Sequence, residues 1–248
     1  MDPKLHMNFS SSWAKYFPGS ELPLAVFYSN EPAASGQNFS SPGDHCMIGF
    51  LKKARKGEVV CLGKGSIACG GGNRYCGFSN RLRPNFEYFL SYGTETLEGE
   101  RYKKDPELVK KWLQNYPPFE APGSFLIFKR WDLLDPADEP FAVIFFSKPD
   151  TLSGLFTLAN YDEESDSAVT CPMGAGCMTI IQLPFEENKK NNPVAILGMF
   201  DVSARPCVGS NELTFAVPIK KFQKMIQYMD ENFLTTESWK KLLQTENR

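Results

Sequence analysis

A chain of 248 residues with 42% hydrophobic and 23% charged residues has the balance of an ordinary globular protein. Its formal net charge of −2 indicates neither a nucleic-acid surface nor an anionic-membrane surface, so we expect neither partner. The longest apolar runs, such as FAVIFF, fall well short of the roughly 20 residues that cross a bilayer, and the start of the chain lacks a secretory apolar region. We therefore expect a cytoplasmic protein whose 7 cysteines stay mostly reduced.

The first half of the chain alternates apolar strand patterns with helical periodicity. Ser41 followed by Pro42 is typical of a helix start, and Cys46 lies on the apolar face of the helix that this start predicts. In chain order we predict a strand at 22–29, a helix after Ser41, a strand at 58–63, a glycine-rich loop and a helix at 105–116 capped by Asp105.

The second half continues this alternation. We predict strands at 125–131 and 141–147, a helix at 150–161, a strand at 167–171, a helix at 175–185, strands at 194–200 and 212–218, and two closing helices. No long linker separates these elements, which favours one mixed α/β domain over residues 1–248, with a mixed sheet and C-terminal helices packed across it.

The two halves also show an internal pseudo-repeat. PLAVFYS, a helix and EVVCLGKGSIACGGG resemble PFAVIFFS, a helix and SAVTCPMGAGC. Each run reads as strand, helix, strand and a loop with glycine and cysteine. A structural duplication would bring the two loops to one site.

Two glycine-rich stretches carry the cysteines of greatest interest, SIACGGGNRYCGF (66–78) and TCPMGAGCMTI (170–180). Consecutive glycines allow positive φ angles and let backbone amides approach a sulfur ligand or an anion. Thiolates are soft ligands that suit zinc, Cu(I) and iron–sulfur clusters. We predict a thiolate site for an iron–sulfur cluster, with zinc or no metal as alternatives, and with a redox or electron-transfer role. Its predicted ligands are Cys46, Cys69, Cys76 and Cys177.

The spacing of the cysteines leaves other interpretations open. No Cys-x-x-Cys pair exists, which excludes zinc ribbons and thioredoxin-type motifs, while small buried cysteines packed against glycine would give the same pattern. One alternative function is a thiol-based enzyme, which needs a cysteine of low pKa. Another is a non-catalytic protein that binds a small anion. The predicted ligand-binding residues are Gly70, Gly71, Gly72, Arg74, Gly176 and Arg205.

The remaining cysteines and the histidines give weaker signals. Cys61 and Cys207 are predicted to be structural, and the expected partner is a redox protein or a small ligand. The chain has 2 histidines, His6 in a terminus predicted to be loose and His45. This scarcity disfavours Ser-His-Asp hydrolysis and zinc-water hydrolases.

These features resemble the domain-of-unknown-function family 169, uncharacterised proteins of archaea and bacteria. The resemblance is carried by PLAVFYS, HCMIGFLKKARKGE, IACGGGNRYCGF, CPMGAGCMTI, DVSARP and ELTFAVPIKKFQKM, from about residue 22 to 232. It implies a single domain, a cytosolic setting and cysteines at the positions of Cys46, Cys69 and Cys177. Cys76 and Cys171 depart from that pattern, and the resemblance implies no substrate.

Overall fold

The computed structural model describes residues 3–33, 37–38 and 46–245. Its strands, in chain order, are β1 Leu24–Ser29, β2 Gln37–Asn38, β3 Val60–Gly63, β4 Gly93–Thr94, β5 Leu97–Glu98, β6 Phe125–Arg130, β7 Ala142–Ser147, β8 Val169–Thr170, β9 Ala195–Gly198 and β10 Leu213–Pro218. Within the described residues, eight of them form one mixed sheet in the order β2-β3-β6-β1-β7-β10-β9-β8, and β4 pairs with β5. The predicted mixed α/β fold is confirmed, while its extent over residues 1–248 stays a prediction.

Helices cover both faces of the large sheet. They are α1 Pro3–Tyr16, α2 Leu51–Arg55, α3 Gly70–Tyr75, α4 Phe86–Phe89, α5 Pro106–Gln114, α6 Pro149–Asn160, α7 Leu183–Glu187, α8 Ile219–Gln227 and α9 Glu237–Thr245. A 3₁₀ turn, Met47–Phe50, leads directly into α2, and we call this continuous helix (47–55) helix unit A. A first turn at 176–177 and a π-helical segment, Met178–Gln182, lead into α7, and we call this helix (176–187) helix unit B.

The central strands are buried on both faces, which explains why they are almost wholly apolar in sequence. In β7, Ile144 faces a core shared with helix unit A, α3 and helix unit B, whereas Val143 and Phe145 face a core shared with α1, α6, α8 and α9. Alternate side chains of a strand point to opposite faces, so each central strand contributes to both cores. The result is a layer of helices on each face of the sheet.

The large sheet repeats one topology on its two sides. On one side, β1 pairs antiparallel with β6, β6 pairs antiparallel with β3, and β3 pairs parallel with β2. The pairings β7 with β10, β10 with β9 and β9 with β8 follow the same three orientations. The two halves meet where β1 pairs antiparallel with β7, so a pseudo-twofold axis runs through the centre of the sheet.

The predicted pseudo-repeat is therefore present, but its predicted alignment is wrong. The strand predicted at 167–171 is β8, and its counterpart in the first half is the short β2. The counterpart of β3 in the second half is β9, not β8. Helix unit A consequently corresponds to helix unit B, and the two begin with the similar sequences CMIGF and CMTII. A strand of two residues, such as β2, leaves no periodic signal, so the strand patterns alone could not establish this alignment.

Two further expectations are corrected. The terminus predicted to be loose forms α1, in which His6 Nε2 lies 2.7 Å from the Trp131 carbonyl oxygen and the His6 ring stacks on the indole. The segment GGGNRY, predicted as a loop, forms the short helix α3. The helix start predicted at Ser41 and Pro42 lies outside the described residues, as does His45.

A buried ion pair connects the loop after α6 to α8. The side chain of Lys221 is fully buried, and its ammonium lies 2.5 Å from Glu163 Oε1 and 3.7 Å from Asp162 Oδ1. Glu163 also accepts a hydrogen bond of 3.0 Å from Asn192 Nδ2. The hydrogen bonds from Asn192 and Lys221 lower the pKa of Glu163, so its ionised form favours the folded state.

We expect Glu163→Gln to lower the free energy of unfolding at neutral pH by roughly 2–4 kcal/mol, because it removes the nearer of the two carboxylates that face the buried ammonium and leaves the more distant Asp162. A depressed folded-state pKa contributes stability above the unfolded pKa, and this contribution is lost as pH falls through the folded value. The difference from wild type should therefore shrink below a pH of about 4. Urea unfolding at several pH values measures it. Glu164→Gln, at the exposed neighbouring carboxylate, is the control, and an equal effect of both variants would contradict this assignment.

Candidate functional site

Five cysteines gather on the face of the sheet that helix units A and B cover, and we call them the thiol cluster: Cys46, Cys69, Cys76, Cys177 and Cys207. Cys76 and Cys177 are buried in the core of this face, and the other three are half-buried against it. Burial raises the pKa of Cys177, and the nearby thiols of Cys76, Cys69 and Cys46 raise it further. The structure thus brings the four cysteines predicted as ligands into one neighbourhood, together with a fifth.

Cys46 and Cys177 occupy equivalent places in the pseudo-repeat. Cys46 is the residue before the 3₁₀ turn that opens helix unit A, and Cys177 lies in the first turn of helix unit B. Burial raises the pKa of Cys46 to about 12, with the nearby Cys207 and Cys69 thiols adding to the shift. At neutral pH the thiols of Cys46 and Cys177 are therefore protonated.

Cys69 is positioned by α3, which it caps. Its Sγ accepts a hydrogen bond of 3.4 Å from the Gly72 amide, and its backbone is extended, as an N-cap requires. The positive φ angles expected of the three glycines are not found, because Gly70, Gly71 and Gly72 are helical. A Cβ on Gly72 would lie 2.8 Å from Ile67 Cγ2 and 3.4 Å from Met47 Cγ, so this glycine lets α3 pack closely against helix unit A.

Helix unit B is anchored by Asp201, a residue that sequence reasoning missed. The Gly176 amide donates a hydrogen bond of 3.1 Å to Asp201 Oδ2, while Asp201 Oδ1 accepts from the hydroxyls of Ser203 at 2.8 Å and Tyr102 at 3.3 Å. Asp201 begins the DVSARP segment, where a single aspartate carries no sequence signal of a contact with a distant helix. The carboxylate at a helix start satisfies an amide that the helix itself leaves free.

The two predicted anion-binding arginines are engaged with the backbone. Arg74 is buried and donates to the carbonyl oxygens of Asn80 and Tyr116, both at 3.2 Å. Arg205 donates to three carbonyl oxygens of the following loop, those of Gly209, Ser210 and Glu212. Both guanidinium groups thus fix loops, and anion binding by either stays a prediction.

The donor set of the thiol cluster suits a soft metal, but the thiols are not arranged as a preformed cage. Among the residues that the structure describes, no group of three or more His, Cys, Asp or Glu side chains is placed to hold a metal ion. Two methionine sulfurs also lie here, since Cys76 Sγ donates a hydrogen bond of 3.4 Å to Met47 Sδ and a Cβ on Gly176 would lie 2.9 Å from Met199 Sδ. Soft donors of this kind select zinc, Cu(I) and iron–sulfur clusters.

Fold and site together define a class, an internally duplicated α/β protein with helices on both faces of its sheet and a thiol cluster near its pseudo-twofold axis. The model of the family described as DUF169, uncharacterised ArCR, matches residues 19–228, and the chain belongs to this family. No curated protein matches the chain, and no solved structure does either. Among the described residues, helices long and apolar enough to cross a membrane are absent.

We expect Gly72→Ala to lower the free energy of unfolding by about 1–3 kcal/mol, because the new methyl group would overlap a branched side chain of the core. Gly70→Ala is the matched control, since a Cβ there meets nothing within 4 Å. In the same helix this control should raise stability by about 0.5 kcal/mol. Denaturant unfolding of the two variants measures both effects. Equal destabilisation would show that close packing at Gly72 is not what requires glycine.

Proposed function

We propose that the protein holds a soft metal centre, an iron–sulfur cluster or a single metal ion such as zinc, among Cys46, Cys69, Cys76 and Cys177, with a redox or electron-transfer role. The observation that supports this most directly is the convergence of four thiols from both halves of the chain on one face of the sheet.

Without a cation, the electrostatics of the cluster keep its thiols protonated. Burial and mutual proximity raise the pKa values of Cys46, Cys76 and Cys177, because gathered thiolates repel one another in a poorly hydrated site. A metal cation reverses this balance by compensating the negative charge, and its binding releases the thiol protons. The same cluster is therefore neutral without metal and anionic with it.

The chain's own groups would tune such a centre. The Gly72 amide already donates to Cys69 Sγ, and hydrogen bonds to sulfur are one of the means by which a protein sets a cluster potential. Cys76 and Cys177 lie in the apolar core, which limits the access of water. When bound, an iron–sulfur cluster supplies one-electron chemistry, and these residues orient it and exclude solvent.

The two alternative functions have less support. A thiol-based enzyme needs a thiolate at neutral pH, whereas the pKa values of Cys46 and Cys177 are raised. A small-anion site needs a free cation, whereas Arg205 is committed to three backbone carbonyl groups. The proposal includes a cytoplasmic setting, where such thiols remain reduced, and a redox protein as partner.

We expect the protein purified without oxygen to contain near-stoichiometric metal, with iron, acid-labile sulfide and zinc assays and the visible spectrum distinguishing the kinds of centre. Cys69→Ser and Cys177→Ser should each lose most of this metal, because each removes a soft donor from the cluster. Cys171→Ser is the matched control, since Cys171 is exposed and outside the thiol cluster. Metal-free protein under these conditions, or metal content unchanged in both ligand variants, would refute the proposal.

A further inference from the structure

Arg74 carries a buried positive charge on α3, between Cys69 and Cys76. Only 5% of its surface is exposed. Its two terminal nitrogens donate hydrogen bonds of 3.2 Å to the carbonyl oxygens of Asn80 and Tyr116, which fix the orientation of the guanidinium. Among the residues that the structure describes, no carboxylate oxygen lies within 4.0 Å of this group. Because a buried charge is costly unless it is compensated, this position favours a negatively charged ligand.

The Nε–H group of Arg74 is the part of the guanidinium that lacks an acceptor. It is buried, and no atom of the described chain accepts a hydrogen bond from it. Buried polar groups in folded proteins nearly always have a partner, so an unpaired donor on a buried cation indicates a place for a bound acceptor.

Gln182 provides a complementary unpaired atom from the second half of the chain. It is the last residue of the π-helical segment of helix unit B, and only 4% of its surface is exposed. Its Nε2 donates a hydrogen bond of 2.8 Å to the Pro117 carbonyl oxygen. Since that oxygen can only accept, this bond fixes the orientation of the amide. Gln182 Oε1 is left buried without a donor, in a type of helical segment that is frequent at functional sites.

One backbone segment holds both side chains. Arg74 and Gln182 bind the carbonyl groups of the consecutive residues Tyr116 and Pro117, and α3 packs against the π-helical segment. A cation with an unpaired donor and an amide with an unpaired acceptor therefore flank the same segment. A ligand that satisfies both accepts a hydrogen bond from Nε, donates one to Oε1 and carries negative charge.

We propose that Arg74 and Gln182 form a buried site for a small oxyanion that carries a hydroxyl group, such as hydrogenphosphate or bicarbonate. A charged oxygen of the ligand accepts from Arg74 Nε, and its hydroxyl group donates to Gln182 Oε1. The burial of both side chains limits the ligand to a small ion. The site does not rest on the proposed metal centre, because neither residue is among the proposed metal ligands.

The acceptor on Gln182 makes the site selective for a hydroxyl group. Sulfate has the tetrahedral shape and the charge of the hydrogenphosphate dianion, but it has no proton to donate. It would leave Gln182 Oε1 unpaired, and sites built to bind a hydroxyl group reject analogues that lack it. Nitrate stands in the same relation to bicarbonate among planar anions.

The test is thermal unfolding of the full-length protein with phosphate or sulfate at a pH of about 8, where both are dianions, at matched ionic strength. An anion that binds the folded state raises the melting temperature. We expect the apparent Kd for phosphate, or for bicarbonate in the planar pair, to be at least about tenfold lower than that for its counterpart. If neither hydroxylated anion binds more tightly than its counterpart, the proposal is overturned.

Variants assign the effect to the two side chains. Arg74→Met should abolish binding of the hydroxylated anion, whereas Arg81→Met, the same change at an exposed arginine, should leave it unchanged. Gln182→Met should bring the preference over the counterpart anion close to 1, which the loss of a bond to Pro117 alone would not do. Binding that persists in a folded Arg74→Met protein would contradict the proposal.

Two further points keep the result interpretable. The decisive selectivity is measured on wild-type protein, so a variant that fails to fold does not rescue the proposal. Cys69→Ser, which should lose the proposed metal, should keep its anion binding, because the anion is held by Arg74 and Gln182. Anion binding that disappears together with the metal would instead assign the anion to the metal and overturn this site.

Discussion

The antiparallel pairing of β1 with β7 is the contact on which the arrangement of the rest depends. Leu24, Ala25 and Val26 pair with Ile144, Val143 and Ala142 at the middle of the sheet, and all six residues are fully buried. An axis perpendicular to a sheet places equivalent helices on the same face. Helix unit A therefore packs on β3 and β6 and helix unit B on β9 and β10, on one face of the sheet, and Cys46 and Cys177 come within electrostatic range of each other.

Much of the fold could be predicted from the sequence, because a strand that is buried on both faces is an almost wholly apolar run. The strands predicted at 141–147 and 212–218 match β7 and β10 to within a residue, since a strand between two helical layers has little room for polar side chains. The helix after Asp105 was also predictable, because its N-cap depends on neighbouring residues. The Asp105 carboxylate accepts a hydrogen bond of 2.8 Å from the Leu108 amide.

The features that the sequence could not predict depend on contacts between distant segments of the chain. Three glycines in a row predict a loop because glycine is a poor helix former. In α3 the cap from Cys69 and the close approach of Gly72 to Ile67 outweigh that preference. The candidate site was partly predictable, because soft ligands beside glycine mark Cys69 and Cys177 as unusual. Cys207 offered no such signal, since its packing beside Gly49 of helix unit A depends on the fold.

The two halves contribute equivalent strands to one sheet, but they differ in the cysteine-bearing turns that pack on it. Strand pairing constrains the sheet, because a change in register would expose the apolar face of every strand involved. The turns above the sheet carry no such constraint: where the first half has α3 with Cys69 and Cys76, the second has a 3₁₀ turn with Cys207. Cys177 consequently lies close to three thiols of the first half, those of Cys46, Cys69 and Cys76, whereas Cys46 lies close to Cys207 of the second half and to Cys69 of its own. The duplicated scaffold thus carries an asymmetric set of cysteines, with Cys76 and Cys177 buried in the core and Cys46, Cys69 and Cys207 half-buried against it.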